Sequence, residues 1–174
     1  MASQQRLFVA LWPDAQTRRQ IAAVQKQVMT RTGLLDGAVA FDNLHLTLLF
    51  LGNVASADIA RLQNHLSRVA STPFQLMLDR WGQFSKPGIL WIGPQQTPAP
   101  LQQLHGDVAA ACRDVVSVRE SRYIPHVTLF RKLQQLPPVD AFEPVTWLVD
   151  RFVLVASNTR PQGVQYRVLH EFFF

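Results

Sequence analysis

The chain has 174 residues, 48% of them apolar, a single cysteine and a net charge of +5 at pH 7. That length buries a core without staples, one cysteine excludes an internal disulfide, and no stretch approaches the ~18 apolar residues a membrane span needs. Fourteen of the 17 basic residues are arginine, whose planar fork suits phosphate oxygens, so the charge points to anionic partners, nucleic acid among them, against the plainer reading of a solvated surface.

Residues 6–12, "RLFVALW", read as a strand. Pro13 and Asp14 cut this apolar run too short for a signal peptide, which with the lone cysteine places the chain in the cytoplasm. The same two residues open a helix carrying Ile21, Val24 and Val28 at helical spacing, and Gly33 ends it. The "LHLTLLFLG" strand follows, closed by Gly52, then a helix from about Ser56 with Ile59, Leu62, Leu66 and Val69 on one stripe. A strand over about 74–81 completes the first half. The second half begins with a strand ending at Pro94, then a helix through Leu101, Leu104, Val108 and Cys112, whose thiol reads as buried and inert. "YIPHVTLF" comes next, Pro137 and Pro138 mark a loop, and two strands near 147–156 and 164–173 finish the chain.

The halves repeat. Pro13 and Pro94 each follow a strand and precede a helix, and 94 − 13 = 81; "HLTL" at 45–48 and "HVTL" at 126–129 are also 126 − 45 = 81 residues apart. Strand, proline, helix and histidine strand thus occur twice in one register. The chain reads as one domain over 1–174, built of two similar lobes related by a pseudo-two-fold axis.

Strand alternation puts His45 and Thr47 on one face and Leu46, Leu48 and Phe50 on the other; it likewise joins His126 with Thr128 and sets Val127 and Leu129 opposite. One histidine in a strand is ordinarily a satisfied core residue. The chain has only nine threonines, yet two of its five histidines carry one at +2; His65, His105 and His170 have Ser67, Asp107 and Phe172 there. Two imidazoles, titrating near ~6.5, supply a base and an acid at neutral pH, and two hydroxyls supply donors to phosphoryl oxygens. That set suits in-line displacement at a phosphodiester without a metal or other cofactor. A metal site is the weaker reading, because no third ligand accompanies the pair. A serine hydrolase is weaker still, for want of a Gly-x-Ser-x-Gly elbow. The near-symmetric residues leave open which histidine is acid and which base.

The paired His-x-Thr-x motifs resemble those of the two-histidine (2H) phosphoesterase superfamily. More closely, "RLFVAL", "HLTLLFLG" and "YIPHVTLFR" look like the bacterial RNA 2′,3′-cyclic phosphodiesterase family, also called 2′-5′ RNA ligase. The resemblance implies a bilobal α+β fold, two antiparallel sheets facing a central cleft with helices outside. It implies metal-free hydrolysis of RNA 2′,3′-cyclic phosphate ends to 2′-phosphate, and in some members 2′-5′ joining of RNA. Carried over, His45 is the proton donor, His126 the proton acceptor, and Thr47 and Thr128 hold the phosphate. The implied partner is RNA with a 2′,3′-cyclic phosphate end, tRNA fragments included, met by a monomer without a membrane.

Arg131 matches a family arginine five residues after the second histidine and would clamp phosphate. Parity nevertheless sets it opposite His126 unless the strand ends or bulges first. Its counterpart in the first motif is Phe50, so the half-sites differ. Tyr123, Phe84, Trp81 and Phe8 are aromatics able to stack on a base, each read first as core, and Arg122 is able to meet a phosphate or to be a solvated charge. Two other readings stand beside the enzyme: a non-catalytic RNA-end binder, and a cyclic phosphodiesterase for a small non-RNA nucleotide.

Overall fold

A computed structural model describes residues 3–119, 121–161 and 163–174. Its elements run β1 (Gln4–Leu11), α1 (Ala15–Thr32), β2 (Leu46–Ala55), α2 (Ile59–Leu66), β3 (Phe74–Leu78), β4 (Arg80–Phe84), β5 (Ile89–Gly93), α3 (Ala99–Arg113), β6 (Val127–Phe130), β7 (Val145–Val149), β8 (Arg151–Arg160) and β9 (Gly163–Phe173). The three expected helices form, α1 with the cap its sequence predicts, α2 and α3 with no side-chain cap at their N-termini. Asp14 caps α1 by accepting from the backbone N–H groups of Gln16 (2.8 Å) and Thr17 (2.9 Å), and Gly33 closes it through a hydrogen bond to Met29 O. A 3-10 turn over Ser56–Asp58 precedes α2, which stops before Val69.

The fold is α+β, with an antiparallel seven-stranded sheet ordered β4-β5-β6-β2-β1-β8-β9 and a small sheet of β3 and β7. About the β6–β2 junction, β6, β5 and β4 on one side mirror β2, β1 and β8 on the other, and β9 extends one side alone. There the two lobes' sheets meet through one residue pair, Leu46 with Val127. Two strands expected to be continuous each split between sheets. The 74–81 segment turns at Asp79, whose N–H bonds to Gly93 O and whose carboxylate accepts from Gln95 N–H, so β3 joins the small sheet while β4 joins β5. The 147–156 segment does the same at Asp150, giving β7 and β8. These splits also match between lobes, now at an offset of 145 − 74 = 71. The shorter offset reflects a connection in the second lobe that contains no helix like α2.

Leu7, Val9 and Leu11 of β1 pack in one core with Ile21, Val24 and Val28 of α1, Leu104 and Val108 of α3, and Leu76 and Trp147 of the small sheet. Cys112 lies in that core, its thiol pushed up to about 12 by burial. The other face of the sheet carries a separate apolar cluster: Phe8 and Ala10 of β1 and Val153 and Val155 of β8, flanked by Trp12, Tyr166 and Val168. The histidines open onto this second face, away from the helices.

Gly52 does not end β2. Its φ of 72° accompanies an irregularity in pairing with β1, and the strand continues to Ala55.

Candidate active site

Both histidines stand one residue ahead of their strands and are held in the same way. His45 Nδ1 lies 2.6 Å from Asn43 O, and His126 Nδ1 lies 2.7 Å from Ile124 O. A carbonyl oxygen only accepts, so in each ring Nδ1 carries the hydrogen and Nε2 is the nitrogen left to act. The anchors repeat the spacing of the motifs, 124 − 43 = 81.

His45 is buried, with Phe8 5.0 Å away between ring centroids, Trp12 stacked at 5.4 Å, and the edge of Tyr166 at 5.1 Å. Burial drives its imidazole down from the ordinary 6.5 to about 4; the bond to Asn43 O opposes this, while the charges of Arg131, His126 and Arg18 add to it. His126 is half-buried against Phe84 (5.2 Å) and Trp91 (5.4 Å). Its pKa is lowered by burial first, against the bond to Ile124 O, and then by Arg131. Both rings are therefore neutral at pH 7 and sit in a cationic field that favours an anionic ligand.

The Thr47 hydroxyl lies 3.1 Å from His45 Nε2 and donates to it. Thr128, buried, holds the matching position on β6.

Arg131 reaches the histidines because its strand bulges. On β5–β6 the partners pass from Trp91 with Thr128 to Leu90 with Phe130, leaving Leu129 as the extra residue. Leu129 and Phe130 are both buried, and alternation resumes one step late, with Arg131 turned to the face of the histidines, where its charge acts on both. The first lobe has the same bulge: the partners pass from Ala10 with Thr47 to Val9 with Leu49, leaving Leu48 extra. Leu48 and Leu49 are both buried, and this overturns the expected place of Phe50, which does not anchor in the core but is 66% exposed beside Phe8.

Several contributors carried no local signal. Arg18 bonds through Nη2 to Pro13 O (3.3 Å) and spreads its guanidinium 5.7 Å from the rings of both Trp12 and Phe41. Tyr166 comes from the last hairpin, tied down where Asn43 Nδ2 donates to Val164 O at 2.9 Å. Gln25, buried on α1, donates from Nε2 to Leu129 O (2.8 Å) and Val39 O (2.9 Å), pinning the second bulge.

Of the aromatics considered for stacking, Phe8 and Phe84 border the histidines. Trp81 packs on Phe142 and donates to Asp140 O, and Tyr123 stacks on His105 at 3.9 Å with its hydroxyl 3.4 Å from Thr47 O. Arg122 is exposed. Among the described residues no group of three or more His, Cys, Asp or Glu side chains is placed to hold a metal ion, and no helix is long and apolar enough to cross a membrane.

Duplicated topology and two histidines presented through Nε2 define a two-histidine phosphoesterase. The model of the 2′-5′ RNA ligase superfamily matches residues 10–161, and the chain belongs to that family. The Escherichia coli RNA 2′,3′-cyclic phosphodiesterase is 33% identical, the match covering 97% of this chain and 96% of that protein. The enzyme of the same name from Archaeoglobus fulgidus is 32% identical, with 96% and 99% covered. The crystal structure of Escherichia coli LigT complexed with 3′-AMP superimposes with a TM-score of 0.87 at 29% identity, covering 99% of both chains; the apo form gives 0.84 at 30%, covering 99% of this chain and 98% of that one.

Proposed function

We propose that this protein is a cyclic phosphodiesterase that opens RNA 2′,3′-cyclic phosphate ends to 2′-phosphates with two histidines and no metal. The observation that carries the reading is the matched anchoring of two imidazoles, each with Nδ1 bonded to a carbonyl two residues back so that Nε2 is the nitrogen left for chemistry, met on His45 by the Thr47 hydroxyl.

His126 Nε2, neutral at pH 7, takes a proton from water as the oxygen attacks phosphorus. The bond from phosphorus to the 3′ oxygen breaks in line, and His45 Nε2–H protonates that oxygen to a 3′-hydroxyl. His45 needs the substrate to become an acid: the phosphate anion raises a pKa that burial and Arg131 hold down in the free protein. Protonation also frees the Thr47 hydroxyl, which no longer has a lone pair on Nε2 to meet, to turn to the phosphate. Thr128 and Arg131 hold the other phosphoryl oxygens as charge develops. A 5′-hydroxyl in place of water would make a 2′-5′ linkage by the same step.

The test is product analysis on an RNA oligonucleotide ending in a 2′,3′-cyclic phosphate, in EDTA. A terminal 2′-phosphate is expected, and His45→Ala or His126→Ala should each lower turnover by on the order of 10²-fold or more. A 3′-phosphate would overturn the leaving-group assignment. Binding without turnover would make the protein an RNA-end binder, turnover of mononucleotides alone would point to a small-nucleotide enzyme, and abolition by EDTA would remove the metal-free mechanism.

A further inference from the structure

Each of the two histidines borders a tryptophan that carries an arginine. In the first lobe the guanidinium of Arg18 lies 5.7 Å from the Trp12 ring, and Trp12 lies 5.4 Å from His45. In the second lobe Arg80 lies 5.3 Å from the Trp91 ring, and Trp91 lies 5.4 Å from His126. The internal repeat does not produce this match, because Gly93 and Ala99 stand 81 residues beyond Trp12 and Arg18. The second set comes instead from the β4–β5 pair. Trp91 faces Gly82, where a Cβ would overlap the indole, and alternation puts Arg80 and Phe84 on the same face of β4 as that open position.

The two arginines differ in what they are free to do. Arg18 is largely buried, with Nη2 donating to Pro13 O and Nη1 3.7 Å from the Asp42 carboxylate, so both ends of its fork are engaged within the protein. Arg80 is exposed and makes no ion pair among the described residues; the carboxylate beside it, Asp79, accepts from Gln95 N–H instead. A guanidinium resting over an indole ring still has its fork for phosphate oxygens. Trp91 touches both Arg80 and His126, which sets this cation one ring away from the reacting phosphate and outside the group formed by Thr47, Thr128 and Arg131.

We infer that Arg80 receives the phosphodiester that joins the terminal nucleotide to the one before it. This rests on the proposed cyclic phosphodiesterase activity and names its substrate class: an RNA chain, which brings that second anion, is preferred over a nucleoside 2′,3′-cyclic phosphate, which lacks it.

The experiment compares kcat/KM for a dinucleotide ending in adenosine 2′,3′-cyclic phosphate with that for adenosine 2′,3′-cyclic phosphate alone. Wild type is expected to favour the dinucleotide. In Arg80→Ala the ratio should fall on the order of ten-fold, with part of it kept in Arg80→Lys. A dinucleotide whose internal linkage is an uncharged methylphosphonate should lose the same advantage on wild type and be indifferent to Arg80→Ala. An unchanged ratio in Arg80→Ala, with wild type active on both substrates, overturns the inference while leaving the activity intact. An equal fall on both substrates also overturns it, and would show that Arg80 acts on His126 through Trp91. Failure of wild type to open either substrate overturns the activity, and the inference with it.

Discussion

Gln25→Met is the sharpest test of how the site is built, because methionine keeps the length of the side chain and removes only the amide. Gln25 Nε2 donates to Leu129 O and Val39 O, and beside it Val39 N–H bonds to Leu129 O (2.9 Å) and Arg131 N–H bonds to Gly37 O (2.8 Å). Gly37 has a φ of 78°, and a Cβ there would overlap the Arg131 carbonyl, so the segment 37–39 runs hard against the end of β6. The substitution deletes two hydrogen bonds at ~1 kcal/mol each and costs up to ~1 kcal/mol more by stranding the Val39 carbonyl, since Leu129 O keeps its bond from Val39. The total is about 2–3 kcal/mol. At ~2–4 °C per kcal/mol for a chain of this size, the melting temperature should fall by roughly 4 to 12 °C in a calorimetric or circular-dichroism scan. Because the bulge aims Arg131, KM for a cyclic nucleotide should rise as well. A melting point within ~1 °C of wild type would refute the energetic argument; a lower melting point with an unchanged KM would show that Arg131 is aimed by something other than Gln25.

Acid should weaken the fold through His45. Its folded pKa of about 4 lies below the ordinary 6.5, so the unfolded chain takes up a proton first, and stability is lost as pH falls through that window. His45→Asn should flatten, though not abolish, the drop in melting temperature between pH 6.5 and 4, since the His126 and His105 pKa values are also lowered by burial; an unflattened curve would remove His45 as a source. Arg131→Ala should weaken competitive inhibition by inorganic phosphate about ten-fold, with partial recovery in Arg131→Lys, which keeps the charge but not the fork. An inhibition constant that does not move would place the guanidinium away from the phosphate.

Much of the site was legible because it is local. The i+2 spacing of His45 with Thr47 and of His126 with Thr128 fixes their shared faces through strand alternation alone, and the 81-residue repeat fixes that there are two of them. Both strands hold that parity up to their threonines, and it fails just beyond, at Leu48 and Leu129. An extra residue in a strand is defined by the count on its partner, so nothing within "HLTLLF" shows that Phe50 faces outward or within "HVTLFR" that Arg131 faces the histidines. The turns at Asp79 and Asp150 escaped for a similar reason: "FQLMLDRW" has unbroken strand character, and only the pull of Gly93 and Gln95 on Asp79 divides it.

By itself, then, the sequence determined the strand–helix–strand repeat, the capped ends of α1 and the two histidine–threonine pairs, because periodicity and capping act over a few residues. Tertiary structure alone decided that Tyr166 closes over His45, that Gln25 pins the second bulge, and that Phe50 and Arg131 take equivalent places on opposite lobes. Those outcomes depend on strand register and on contacts between segments as far apart as Asn43 and Val164, which no local pattern encodes.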